Sequence, residues 1–147
     1  IIINKKIDYD LYPDLLQQLG IDKPLNNKKL FIRYGGPVES GRGFVLHSDD
    51  RVIKETLNID KGVALTSTAE FFDDLSKGKG PKKSILALGY AGWQPGQLEH
   101  EMMQNSWMSL SVDSSFLFDD EVSRKWSQAY KLMGIDPNSL SFQSGRA

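Results

Sequence analysis

From Ser84 to Leu110 the chain reads SILALGYAGWQPGQLEHEMMQNSWMSL, and this stretch limits the fold more than any other. Ile85 to Tyr90 is a short, unbroken apolar run, the pattern of a buried strand. Ala91-Gly92-Trp93-Gln94-Pro95-Gly96 is turn chemistry. A helical pattern then runs to about Trp107. On a wheel of about 100° per residue, Leu98 with Met102 and Met103 with Trp107 bound a wide apolar arc. Glu99 and Ser106 project into the middle of that arc. Gln97, His100, Glu101 and Gln104 lie on the other side.

Two of the three tryptophans fall in or beside this unit. Their apolar neighbours predict that Trp93 and Trp107 are core anchors; a ligand platform is the sharper alternative. Glu99 is the carboxylate expected to be at least partly buried. An unpartnered buried carboxylate is costly, so it needs donors from the Trp93–Gly96 bend or from Arg33 or Arg42. A negative group in a first helical turn also suits the helix dipole.

Elsewhere the chain supplies alternating short elements. Leu11, Leu15, Leu16 and Leu19 share a helical face, and Gly20 suits the stop, which predicts a helix over about 11–19. Residues 30–34 form a strand that Gly35-Gly36-Pro37 breaks. Gly41-Arg42-Gly43 turns the chain into a second strand, Phe44–His47. The glycine-rich loop reads as a hairpin or wide turn; its spacing matches no phosphate loop. Arg51–Ile59 and Val63–Thr66 are two more strands, joined by the Asp60-Lys61-Gly62 turn. Ser67-Thr68-Ala69-Glu70 is a capping box opening a helix with Phe71, Phe72 and Leu75 inward, and Gly78 ends it. Phe116-Leu117-Phe118 reads as a short strand or buried loop. Asp119 or Asp120 caps a last helix over about 121–133, with Val122, Trp126, Ala129, Tyr130 and Met133 on one face and Gly134 as its stop. Residues 138–147 read as a loose polar tail. Strands and helices are mixed with few βαβ units, so the expected class is α+β with a mixed, largely antiparallel sheet.

At 147 residues one domain over 1–147 is expected, with a core that stands without staples. The chain carries a net charge of −1, which argues against a general nucleic-acid binder. It has no cysteine, which removes disulfide and thiol chemistry and fits a reducing compartment. No apolar run reaches the ~20 residues of a membrane helix. Ile1 is not an initiator methionine, and Ile1–Asn4 reads as the tail of a strand, so a segment upstream of it is expected.

The chemistry on offer is thin. His47 and His100 are the only histidines, too few for a zinc site in a chain without cysteine. Gly-x-Ser-x-Gly is absent, and Gly41-Arg42-Gly43 leads into a strand rather than a helix, so neither a hydrolase elbow nor a dinucleotide fingerprint is present. Lys77 to Lys83 is the one basic cluster and reads as a solvated loop; its sharper reading is a weak nucleic-acid contact. No catalytic, cofactor-binding or metal-ligating residue is assigned. The alternative is a small-molecule-binding protein or an enzyme using Glu99, in the enzyme as a general acid or base, with Arg42 or His47 around the Gly35–Gly43 loop.

Three segments together resemble a known family. Tyr34-Gly35-Gly36-Pro37-Val38 leads into Arg42-Gly43-Phe44-Val45-Leu46-His47. Gly89-Tyr90-Ala91-Gly92-Trp93 is followed by Gly96-Gln97-Leu98-Glu99 and Asn105-Ser106-Trp107. Trp126 sits in a helix ending at Gly134-Ile135-Asp136. The pattern resembles the AlgH-like (YqgE-like) family of bacterial proteins over nearly the whole chain. The resemblance implies an α+β fold with a bifurcated sheet folded into a pseudo-barrel and flanked by helices. It implies a bacterial cytoplasmic protein with a strand-rich N-terminal segment ahead of Ile1. The family name reflects a proposed role in regulating alginate synthesis, and the resemblance brings no catalytic residue and no cofactor. The expected function is therefore a non-enzymatic regulatory or interaction protein. The expected partner is a protein, not a membrane or nucleic acid. The sequence leaves the oligomeric state open.

Overall fold

The computed structural model describes residues 1–7, Gln17 and 32–136. The helix expected over about 11–19, Gln17 apart, lies outside those residues, as does the tail at 138–147.

The described strands are β1 (Ile32–Tyr34), β2 (Val38–His47), β3 (Leu57–Asp60), β4 (Val63–Thr66) and β5 (Ser84–Tyr90). They form one sheet in the order β1-β5-β2-β4-β3. β5 pairs parallel with β1 and antiparallel with β2, so the apolar run sits between two neighbours. Ile85 to Gly89 are all buried, as a strand covered on both faces requires. The α+β class and the mixed, largely antiparallel sheet match the expectation. The order is linear, and no ladder joins β1 to β3 among the described residues. The described sheet is thus open rather than closed into a barrel.

Alternation assigns the two faces. Ile32, Val45, Leu86 and Leu88 pack against Phe71, Phe72 and Leu75 of α1 (Ala69–Ser76). Arg33, Phe44 and Ala87 are in register with one another on the opposite face. Arg33 interacts electrostatically there with Asp120 and Lys125, near the start of α4 (Val122–Leu132).

Several boundaries differ from expectation, each for a local reason. Of the predicted 51–59 strand only the last three residues are in β3, which runs from Leu57 to Asp60. Before it, Thr56 folds back on Ile53 through a backbone bond of 3.1 Å and a side-chain bond of 2.9 Å, and Arg51 is drawn to Asp74 on α1. The α1 cap is Thr68 rather than Ser67, its Oγ1 accepting from the Phe71 N–H at 3.4 Å. The segment containing Phe116–Phe118 is helical, α3 (Ser114–Phe118), because Asp113 accepts from the amides of Ser115 and Phe116. On α4 the buried residues are Val122 and Lys125, while Trp126 is exposed and lies on the Tyr130 ring at 4.4 Å. Lys125 Nζ donates to the carbonyls of Phe116 at 2.5 Å and Leu117 at 3.3 Å. It thereby serves orphan acceptors near the end of α3.

Residues 2–7 lie along the outer edge of β1. Ile2 donates to Gly35, Tyr34 donates to Lys5, and Ile7 donates to Ile32. The Ile1–Asn4 segment therefore pairs within the chain. No helix among the described residues is long and apolar enough to cross a membrane.

Candidate functional site

β5 ends where two backbones cross. A Cβ on Gly35 would lie 2.2 Å from the Gly89 carbonyl oxygen, and one on Gly36 would lie 2.1 Å from Tyr90 backbone. Gly89 itself sits at φ +70 with Gly36 O 2.4 Å from its would-be Cβ. Only glycine allows the β1–β2 connection to pass over β5 at this separation. That connection is no hairpin, since β5 lies between β1 and β2. β2 then bulges between Val38 and Gly43, where Glu39 takes φ +47 and its carboxylate holds Arg42 at 2.9 Å.

Past the crossing, the chain bends through 91–96 into α2 (Gln97–Met103). Gly96 at φ +78 is the N-cap, and the Gln97 side chain accepts from the Gln94 amide at 3.0 Å. The helix stops four residues before Trp107. Asn105 takes the left-handed conformation at φ 57, its amide bonds to Met102 O, and the Ser106 amide bonds to Glu101 O. This paired closure is a Schellman end with asparagine in the glycine position. It reverses the chain and brings Trp107 back against the helix.

The result is an acidic cluster different from the one expected. Glu99 is exposed. Glu101 is instead the carboxylate beneath the indoles. Its Oε2 accepts from Trp107 Nε1 at 2.6 Å and Trp93 Nε1 at 3.1 Å, and its Oε1 accepts from Gln97 Nε2 at 2.8 Å. The Trp107 donor, then Gln97 and Trp93, hold this carboxyl below its usual range. The two indoles meet edge to face at 5.6 Å. The expectation that they are core anchors is corrected: Trp93 is 36% and Trp107 49% exposed, and no residue of α2 is buried. Met102, Met103 and Met108 are exposed beside them. The signal that could have found this was Asn105-Ser106, a helix stop that removes Trp107 from the wheel.

Glu99, Arg42 and His47 are not brought together; no hydrogen bond or ion pair joins them among the described residues. Arg42 serves Glu39 and Ser67 and lies over the Phe44 ring. His47 is fully buried, with Nδ1 bonded to Ser48 O and Nε2 to Thr66 Oγ1, each at 2.9 Å. A carbonyl only accepts, so Nδ1 carries the proton and Nε2 accepts from the Thr66 hydroxyl. Thr66 in turn accepts from Thr56, whose oxygen takes the Ile53 amide. Desolvation pushes His47 below its ordinary pKa and outweighs the Ser48 bond and the charges of Asp50 and Asp49. It is a satisfied core histidine. In the basic segment, Lys77 is paired with Asp73 and Lys82 donates its amide to Asp50. A groove of about 740 Å³ lies between the β3–β4 hairpin and residues 110–117.

An open mixed sheet, a glycine crossing at β5 and an indole–carboxylate cluster beyond it define a small α+β protein with an apolar surface platform. The AlgH-like family model matches residues 1–138, and the chain belongs to that family. A UPF0301 protein of Bradyrhizobium diazoefficiens is 45% identical, the match covering 100% of this chain and 72% of that protein. A UPF0301 protein of Rhodospirillum rubrum is 40% identical, covering 100% of this chain and 77% of that one. The solution structure of the AlgH protein from Pseudomonas aeruginosa is similar at a TM-score of 0.70 and 34% identity, over 91% of this chain and 71% of that one. An X-ray structure of a Corynebacterium diphtheriae protein shares the fold at a TM-score of 0.60 and 14% identity, over 88% of this chain and 67% of that one.

Proposed function

We propose that this chain is a non-enzymatic interaction protein with a regulatory role in the bacterial cytoplasm, and that it docks a protein partner on the surface formed by residues 93–108. One observation carries the reading: Glu101 spends its acceptor capacity on fixing two indoles whose rings stay open to solvent. Rigid tryptophan faces flanked by exposed methionines are the side-chain types enriched in interface cores. Such a patch is otherwise a liability for a soluble chain. A carboxylate held ionised by three donors is a poor general acid near neutral pH. Any control of gene expression would then act through the protein partner rather than through direct contact with DNA.

The test compares the wild-type chain with Met103→Glu, a change at a side chain 76% exposed, in a pull-down from a related bacterium. The expected result is a stoichiometric partner retained by the wild type and lost by the variant. Equal recovery by both, or by neither, overturns the reading.

A further inference from the structure

Charge is segregated along this chain. From Ser84 to Ser123 there is no lysine or arginine, but there are six carboxylates, at Glu99, Glu101, Asp113, Asp119, Asp120 and Glu121. All 18 lysines and arginines lie outside that stretch. The surface at 93–108 therefore brings Glu99 and Glu101 to a partner and no cation of its own. An anionic group would find no counter-charge in it; a cationic one would.

The indoles carry the same preference. Trp93 and Trp107 stand at 81° with ring centroids 5.6 Å apart, so two ring faces meet in a corner. Both rings are open to solvent. Both N–H donors are already spent on Glu101 Oε2, at 3.1 Å and 2.6 Å. What the rings still offer is π-electron density, and donation to a carboxylate polarises an indole toward a more negative face. The three donors hold the Glu101 carboxyl below its usual range, so it is ionised near neutral pH. Tryptophan faces attract cations, and a guanidinium, planar and weakly hydrated, lies flat on them. The exposed thioethers of Met102, Met103 and Met108 add polarisable surface for the methylene stem of such a side chain.

We propose, on the strength of that docking surface, that the corner between Trp93 and Trp107 receives an arginine side chain of the protein partner. The guanidinium stacks on an indole face. Glu101 fixes the two rings and supplies the counter-charge behind them.

The test follows the indole N–H resonances of the isotope-labelled 147-residue chain by nitrogen–proton correlation NMR. The probe is N-acetyl-arginine amide. The control is N-acetyl-citrulline amide, which has nearly the same shape and no charge, with sodium chloride equalising the ionic strength. Trp126 is the internal reference: it is also exposed, but its helix carries Arg124, Lys125 and Lys131. The Trp93 and Trp107 resonances are expected to shift saturably with the arginine probe, at a dissociation constant on the order of tens of mM, and about fivefold more weakly with citrulline. Trp126 should respond at least about threefold more weakly than either. Trp107→Leu should remove the arginine preference at Trp93, and Glu101→Gln should lower it about twofold; far-ultraviolet circular dichroism checks that both variants fold. Equal affinity for the two probes overturns the proposal. So does an equal response at Trp126, or no saturable shift below about 0.2 M probe. A preference that survives both substitutions unchanged overturns it as well. Met103→Glu leaves both indoles in place and should keep the arginine preference. A partner retained by a chain that does not prefer arginine would therefore overturn this proposal alone. An arginine preference with no partner retained would overturn the docking reading and leave the cation site standing.

Discussion

Trp107 donates its indole N–H to Glu101 at 2.6 Å across the end of the helix that carries Glu101. The bond exists because Asn105 terminates α2 in the left-handed region and folds the next two residues back. One backbone conformation therefore places an aromatic ring six positions along the chain from its acceptor.

Replacing Glu101 with Gln removes the charge and converts one acceptor oxygen into a donor. At least one of the three N–H groups now on the carboxylate loses its partner, so the near-ultraviolet dichroism of the Trp93–Trp107 pair should weaken while far-ultraviolet dichroism stays. In the wild type the carboxyl is held below its usual range by Trp107, Gln97 and Trp93. The cluster should therefore be fully formed above the ordinary glutamate pKa and be lost only as pH falls through the depressed native value. A tryptophan fluorescence titration with its midpoint at or above the ordinary glutamate value would contradict this.

The glycine crossing gives an internally controlled comparison. Gly35→Ala drives a methyl group to 2.2 Å from the Gly89 carbonyl oxygen, a backbone atom that has no rotamer to yield. It should cost roughly 2–4 kcal/mol in urea unfolding. Gly41→Ala, in the same glycine-rich segment, meets nothing within 4 Å and has no positive φ. It should stay within about 0.5 kcal/mol of wild type. Equal effects at the two positions would mean that the crossing is not close-packed.

These residues show where sequence reasoning reached and where it stopped. The apolar run of β5, the inward face of α1 and the hairpin at Asp60-Lys61-Gly62 are local patterns, and each folds as its pattern says. Glycines at 35, 36 and 89 are visible in the sequence, but that they meet one another is set by β5 running between β1 and β2. The carboxylate expected to be partly buried is Glu99, whereas Glu99 is exposed and Glu101 is the half-buried one. A wheel that runs unbroken to Trp107 favours Glu99, but the helix ends at Met103 and Asn105 turns the chain back, which favours Glu101. The burial of Lys125 was illegible for a different reason. Its partners are the carbonyls of Phe116 and Leu117, which become orphan acceptors only once that segment is helical.

The basic segment 77–83 should not bind nucleic acid. Its Lys77 ammonium is paired with Asp73, and Asp50 takes the Lys82 amide, so negative groups sit within the cluster itself. Fluorescence anisotropy against a random duplex at low salt should show no saturable binding. Binding whose affinity falls linearly with the logarithm of salt concentration would contradict this.

His47 gives the chain an acid-side stability limit. The imidazole is neutral in the fold, because Nδ1–H feeds the Ser48 carbonyl and Nε2 accepts the Thr66 hydroxyl. Protonating Nε2 would place a charge in a fully buried site and force the Thr66 hydroxyl to turn from donor to acceptor. Burial lowers the native pKa below the ordinary 6.5, so the unfolded chain binds the proton first. Stability is complete above that ordinary value, declines as pH falls below it, and stops declining once the native imidazole also protonates. Urea midpoints measured between pH 8 and the acid side should trace this one-sided fall. His47→Gln keeps a donor and an acceptor but cannot titrate, so its midpoint should lack the component that begins at the histidine value, even where the variant is less stable overall. His47→Phe removes the donor to Ser48 O and the acceptor of the Thr66 hydroxyl proton, leaving Thr66 only its bond with Thr56, at a cost of roughly 2–4 kcal/mol at neutral pH. If the wild type and His47→Gln show parallel pH profiles, the imidazole is not the group that sets the limit.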